Sequence, residues 1–182
     1  MRNIKIIKSI LLIMSLILIT SCSGNRAMKP QDFKNKEPRL IIEEYLSGNV
    51  KAWGVLQNRS GKVTRQFSAD LDGSWDGKQL ILREKFNWDD GEVQNREWTI
   101  KKIDENNYEG TAGDVVGKAK GYSYGPAFKF EYVLLVPVNG KEMKITFDDW
   151  IFKQDDKVAI NRATMTKFGF KVAELTVVFV KD

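Results

Sequence analysis

Residues 80–100 read LILREKFNWDDGEVQNREWTI. Two runs in which apolar and polar residues alternate flank Asp89-Asp90-Gly91, a turn composition, so this stretch is a β-hairpin. Counting outward from the turn, Trp88 faces Glu92, Phe86 faces Gln94, Leu82 faces Trp98 and Leu80 faces Ile100. These apolar pairs mark one face as interior, and the same count sets Glu84 opposite Arg96 on that face.

The flanking sequence repeats the pattern. A two-residue turn at Asn139-Gly140 pairs Val136 with Met143, Leu134 with Ile145 and Tyr132 with Phe147. A turn at Asp155-Asp156 sets Ile151 against Ile160 and Asp149 against Arg162, and one over 58–61 pairs Ala52 with Phe67 and Gly54 with Arg65. Each of three hairpins thus places an arginine (Arg65, Arg96 or Arg162) on an otherwise apolar face. Further turn signals stand at Asp76-Gly77 and Asn106-Asn107, and everything after Gly48 reads as strand. Strands joined by tight turns run antiparallel, and closure removes their exposed edges. The sequence therefore predicts an all-β fold, a single antiparallel up-and-down (lipocalin-like) β-barrel of 8–9 strands over 37–182. A short N-terminal helix is expected at 38–46, where Leu40, Ile41 and Tyr45 share a face.

Upstream, Arg2, Lys5 and Lys8 precede an apolar run over 10–19. A positive segment followed by about ten apolar residues is a signal peptide, too short for a membrane span of roughly 20. Ile19-Thr20-Ser21-Cys22 follows and resembles the lipobox of bacterial lipoproteins. The resemblance implies cleavage between Ser21 and Cys22, removal of 1–21, and a diacylglyceryl group on the Cys22 thiol. Residues 22–36, polar and aperiodic, form the expected tether between lipid and barrel. Ser23, rather than Asp, follows the cysteine, which by the same resemblance implies the periplasmic face of an outer membrane where the host has one.

Composition removes whole classes of chemistry. There is no histidine, so a Ser-His-Asp triad and His-ligated metal sites are excluded, and the only cysteine is Cys22. The formal charge of +5 shrinks once the signal peptide is set aside, because 26 basic and 24 acidic residues remain, and nucleic-acid binding has no support. Gly113 to Ala119 looks like a phosphate loop but has three residues where four are needed between its glycines, and Ala119 in place of Ser or Thr. Glycines in a curved strand or bulge are the expected reading there. The doublets Asp89-Asp90 and Asp155-Asp156 belong to turns rather than to a calcium site.

A set of residues carries a family resemblance. Ala52-Trp53-Gly54, Gly61-Lys62-Val63 with Arg65 and Phe67, Leu82 with Glu84 and Phe86, and Asp90-Gly91-Glu92 with Arg96 and Trp98 belong to it. Asp114-Val115-Val116-Gly117, Phe147-Asp148-Asp149-Trp150 and Lys167-Phe168-Gly169 complete it. Together they resemble the lipoproteins of domain-of-unknown-function family 3833 over about 45–181. The resemblance implies a bacterial lipoprotein and brings no activity or catalytic residue with it. A looser similarity, in overall plan, is to lipocalin-like barrels.

Glu84 and Asp149 could serve as the carboxyl pair of a glycoside hydrolase. An arginine opposite each would hold both ionised and remove the acid, so no catalytic residue, cofactor or metal is expected. Two readings stay open. The pairs Glu84–Arg96 and Asp149–Arg162 fix register inside a solid barrel that serves as a structural or interaction module of the envelope. Alternatively, the lumen holds a lipid or other amphiphile whose acidic head meets the arginines, with Arg65, Glu84, Arg96, Trp98, Tyr132, Asp149 and Arg162 as the candidate lining. The partners are then the membrane, through Cys22, and a hydrophobic small molecule.

The lipobox makes the first demand. Replacing Cys22 with Ser should leave the precursor uncut and unlabelled by radioactive palmitate; cleavage before residue 22 in that variant would refute the anchor.

Overall fold

The computed structural model describes residues 27–138 and 140–182. The expected signal peptide, with Ser21, as well as Cys22 and Asn139 lie outside the described residues. The fold is a closed, all-antiparallel barrel of ten strands: β1 (Gly48–Asn58), β2 (Val63–Trp75), β3 (Gln79–Trp88), β4 (Val93–Lys102), β5 (Asn107–Thr111), β6 (Ala119–Tyr124), β7 (Ala127–Val138), β8 (Lys141–Lys153), β9 (Val158–Lys167) and β10 (Phe170–Lys181). Each strand pairs with its neighbour in sequence, and β1 pairs with β10 from Val50↔Lys181 to Asn58↔Ala173. The count exceeds the expected 8–9 because the glycine-bearing stretch between β5 and β6 is a loop, not a curved strand. Gly117, at φ +75, turns the chain there.

The hairpin over 80–100 has the expected register, with Leu80↔Ile100, Leu82↔Trp98, Glu84↔Arg96 and Phe86↔Gln94. The β7–β8 pairs also stand as counted, with Tyr132↔Phe147, Leu134↔Ile145 and Val136↔Met143. The β1–β2 pairing is displaced by two residues, to Gly54↔Phe67 and Leu56↔Arg65, and takes up an irregularity at Leu56/Gln57. An even displacement keeps every side chain on its face, so Phe67 and Arg65 remain inward. The β8–β9 pairing is displaced by one, to Asp149↔Ala163, Trp150↔Arg162 and Ile151↔Asn161. Arg162 is therefore outside, its side chain 67% exposed and 3.8 Å from Glu174, while Asn161 is buried in its place. The cause lies in the turn. Gln154 N donates to Val158 O, and Asp155 Oδ1 accepts from the N–H groups of Lys157 (2.8 Å) and Val158 (2.7 Å), which makes a loop one residue longer than the two-residue turn.

The expected helix over 38–46 contracts to one turn, α1 (Ile42–Tyr45), which plugs one end of the barrel. Leu40, Ile42 and Leu46 are buried there among Val50, Leu71, Leu80 and Phe128, and each such side chain contributes roughly 1.5 to 3 kcal/mol. The buried polar side chains of the plug are engaged. Glu43 accepts from Lys102 Nζ and from Tyr108 Oη (2.9 Å), Ser123 Oγ donates to Leu40 O (2.8 Å), and Tyr45 Oη donates to Lys157 O (3.0 Å). Ahead of α1, a 3₁₀ turn (Pro30–Phe33) lies within the expected tether and rests on the outer wall, Phe33 packing on Trp150 and Phe152.

Gly73 makes the seat of the plug, because a Cβ there would overlap the Leu46 carbonyl oxygen, whereas one on Gly113 would meet nothing within 4 Å. Gly73→Ala should therefore cost about 1 to 3 kcal/mol in chemical denaturation, and Gly113→Ala close to nothing. Equal effects would show that the plug does not bear on stability.

Candidate functional site

The ten strands enclose more space than their side chains fill. Near the plug, a chamber of about 100 Å³ is lined by Ile42, Leu82, Glu84, Trp98, Phe130, Tyr132, Asp149 and Asn161, among others. Toward the opposite end lies a second chamber of about 210 Å³, lined by Leu56, Arg65, Trp88, Asp114, Leu134, Val136, Met165 and their neighbours. Phe67, Phe86, Arg96, Tyr132 and Leu175 border both and form the partition. Together the chambers come to the lower end of the range of about 300 to 1,000 Å³ for small-molecule sites.

Aromatic rings run along the wall between the two chambers. Trp98 packs against Phe130 (5.1 Å between centroids) and Tyr132 (5.3 Å), and Tyr132 stacks on Phe147 (5.0 Å). These rings come from β4, β7 and β8, where alternate residues face inward. Glycines make room for rings, since a Cβ on Gly110 would strike the Phe130 ring and one on Gly54 the ring of Phe67 on β2.

The charges differ from expectation. Arg96, opposite Glu84 in the ladder, makes only a 3.9 Å contact with it and gives its strong bonds to Asp114 Oδ2, from Nε (3.0 Å) and a terminal nitrogen (2.7 Å). Asp114 comes from the β5–β6 loop. This loop is held against β7 by Val116 N to Val133 O (2.8 Å) and Leu135 N to Asp114 O (2.9 Å), so it walls the barrel where β5 and β6 are short. Asp149 has no arginine opposite; Tyr132 Oη donates to it at 3.0 Å and Asn161 Nδ2 also donates. At the mouth, Arg65 donates to Asp90 and Glu92, 2.8 Å each, and lies 4.0 Å over the Trp88 ring.

Of the candidate residues, Glu84, Arg96, Trp98, Tyr132 and Asp149 meet around the lower chamber, Arg65 stands at the upper, and Arg162 belongs to neither. Asp114 and Asn161 were missed. The first reaches its partner from a loop that hairpin counting cannot place, and the second was hidden by the one-residue displacement.

Four fully buried polar atoms in this region have no partner: Glu84 Oε2, Asp114 Oδ1, Arg65 Nε and Trp88 Nε1. Burial pushes the Glu84 carboxyl up to about 7, against the pull of Arg96 and with the repulsion of Asp149 and Asp114 added. Burial likewise raises Asp149 to about 6, although the bonds from Asn161 and Tyr132 favour its charged form. The arginines therefore do not hold both carboxyls ionised, and that objection to acid catalysis falls. The chamber that holds the two carboxyls has a volume of about 100 Å³ and adjoins the larger one across the partition. Among the described residues, no group of three or more acidic or thiol side chains is placed to hold a metal ion.

A family model described as protein of unknown function (DUF3833) matches residues 16–181. Among solved structures, the barrel is similar to an S-type phycobiliprotein lyase from Guillardia theta. That match has a TM-score of 0.56 and 11% identity, over 77% of this chain and 90% of that one. It is also similar to a protein of unknown function from the DUF3598 family of Nostoc punctiforme, at TM-score 0.60 and 14% identity, over 81% of this chain and 51% of that one. The chain thus spans about half the length of that second protein. At such identities the likeness is one of fold. A comparison with curated proteins finds no match.

Because the folded pKa values of Glu84 and Asp149 lie above their unfolded values of 4.5 and 3.8, the folded state prefers both protonated. Their contribution is full below pH 4 and is lost as pH rises through about 6 and then about 7. The melting temperature should fall between pH 5 and pH 8, and Glu84→Gln should remove most of that slope, a change of about 3 kcal/mol. A pH-independent melt in the wild type would show these carboxyls to be hydrated.

Proposed function

The chain belongs to the DUF3833 family, and we propose that it is a non-catalytic, lipid-anchored binder that holds one small amphiphile in its barrel at the cell envelope. The residues Ile19-Thr20-Ser21-Cys22 support the anchor, and with it the periplasmic face of an outer membrane. The observation that carries the binding is the lumen. Two chambers stay unfilled, and four buried polar atoms on their walls lack partners. A solid barrel would leave neither, since each buried polar group without a partner costs on the order of 1 to 3 kcal/mol.

The chemistry of the wall selects the ligand. An acidic head group was expected to meet free arginines, but Arg96 is matched by Asp114, and Arg65 by Asp90 and Glu92. Above about pH 7 Glu84 and Asp149 add further negative charge, so there a carboxylate or phosphate entering the lumen would be repelled. The unpartnered atoms comprise two N–H donors and two carboxylate oxygens. An uncharged head that both donates and accepts, such as a hydroxyl or amide, satisfies them, while an alkyl chain lies against Leu134, Val136, Phe147 and Met165.

Displacement of the neutral fluorophore N-phenyl-1-naphthylamine at pH 7.5 tests this. Dodecanol and monododecanoylglycerol should compete on the order of ten-fold better than dodecanoate. Met165→Trp, which fills the upper chamber, should abolish binding without lowering the melting temperature. A native protein free of lipid by mass spectrometry that also takes up no probe would leave a barrel of structural role.

A further inference from the structure

The end of the barrel away from the plug carries apolar side chains that the fold does not use. The β9–β10 hairpin turns at Phe168-Gly169, with φ of +52 and +80. This left-handed pair is ordinarily Asn-Gly or Gly-Gly, and bulky side chains rarely adopt it. Phe168 is nonetheless 88% exposed, and Phe170 beside it 69%. Val172 on the same hairpin, and Val138 at the tip of the neighbouring β7–β8 hairpin, are exposed as well. An aromatic in a strained turn, pointed into solvent, contributes nothing to the core; beyond Lys167 Nζ, 5.3 Å from its ring centroid, what it gains comes from an apolar surface outside the molecule.

Charge narrows what that surface is. Exposed Arg59, Lys62, Lys141, Lys144 and Lys171, with half-buried Lys167, lie on the three contiguous hairpins at this end, opposed there by Glu142 and Glu174. Glu174 already faces Lys171 (3.2 Å) and Arg162. Of the three acids at the tip of the next hairpin, Asp90 and Glu92 are bound to Arg65, and Asp89 is exposed. Aromatic residues flanked by lysines match the boundary of an anionic bilayer, with rings among the acyl chains and ammonium groups at the phosphates. The same strands continue inward as Val136, Pro137, Met165 and Leu175 of the upper chamber.

We propose that this rim is a membrane-docking surface, in which Phe168 and Phe170 enter an anionic lipid surface and the upper chamber opens toward the lipid. The docking does not depend on whether the lumen holds a ligand. For a chain anchored at Cys22, the eight residues from there to Pro30 span at most about 28 Å, comparable with the height of the barrel, so the barrel can tip until rim and anchor share one surface.

Tryptophan placed at the tip reads this in the full chain, whether or not the anchor is also embedded. In phosphatidylethanolamine–phosphatidylglycerol vesicles containing brominated acyl chains, Phe168→Trp should add fluorescence that the bromines quench. Lys78→Trp, on the β2–β3 turn at the plug end, should add fluorescence that they do not. Exchanging phosphatidylglycerol for phosphatidylcholine should weaken the quenching several-fold. A Phe168→Asn, Phe170→Ser variant should melt no lower than the wild type, because Asn suits the turn. Equal quenching at both positions, none at residue 168, or a lower melting temperature for the double variant would overturn the proposal.

Discussion

Pairing of β1 with β10 is the contact on which the rest depends. A meander of ten strands without it would expose two long edges, each a row of unpaired N–H and C=O groups. Closure pairs them and, at the same time, fixes the interior. A barrel of about eight strands is just wide enough for its own side chains to fill, and interior width grows with strand number. The split of the 107–124 segment into β5 and β6 therefore produces a wider cross-section than 8–9 strands would give, and large aromatics from β2, β3, β4, β7 and β8 only partly occupy it. The unfilled lumen follows from strand number rather than from any one residue.

How far the sequence discloses this depends on turn chemistry. Where a turn is short and its residues unambiguous, as at Asp89-Asp90-Gly91 and Asn139-Gly140, counting outward reproduced every cross-strand pair tested. Where an aspartate side chain takes backbone N–H groups into the turn, as Asp155 does, one more residue joins the loop and the count slips by one. The period of a strand is two, so that slip exchanges faces and moves Arg162 out and Asn161 in. A slip of two at 58–61 was harmless for the same reason. Binary patterning thus reveals the face on which most residues lie, but single polar residues on an inner face depend on turn details that composition does not carry.

Asp114 was illegible for a different reason. Its contact with Arg96 joins a loop to a strand, and no periodicity relates them. Yet it decides the character of the site. A guanidinium has a planar fork of donors and gives its shortest bonds to the carboxylate that approaches it best. Asp114 takes that place, so Glu84 keeps a neighbouring positive charge but no hydrogen bond to it. A buried carboxyl treated in this way drifts toward neutrality, which is the direction found for Glu84. A facing pair in a β-ladder is therefore not by itself an ion pair; what else the cation can reach decides whether it becomes one.

The two ends of the barrel show the same contrast in how polar groups are satisfied. At the plug, Glu43 is buried, yet Lys102 and Tyr108 both bond it, and these bonds hold its pKa down despite the burial that would raise it. Around the lumen and its mouth, buried donors and acceptors are left without partners although the chain has polar residues to spare. A uniform cause, such as poor packing throughout, would leave orphans at both ends. Four of the five such atoms among the described residues line the chambers and the fifth, Asp148 Oδ1, stands apart from them, so the interior is left incomplete mainly where the lumen is unfilled. The exposed phenylalanines stand at that same incomplete end, so the unpaired polar atoms inside and the unpacked apolar groups outside both face the route by which a ligand would enter.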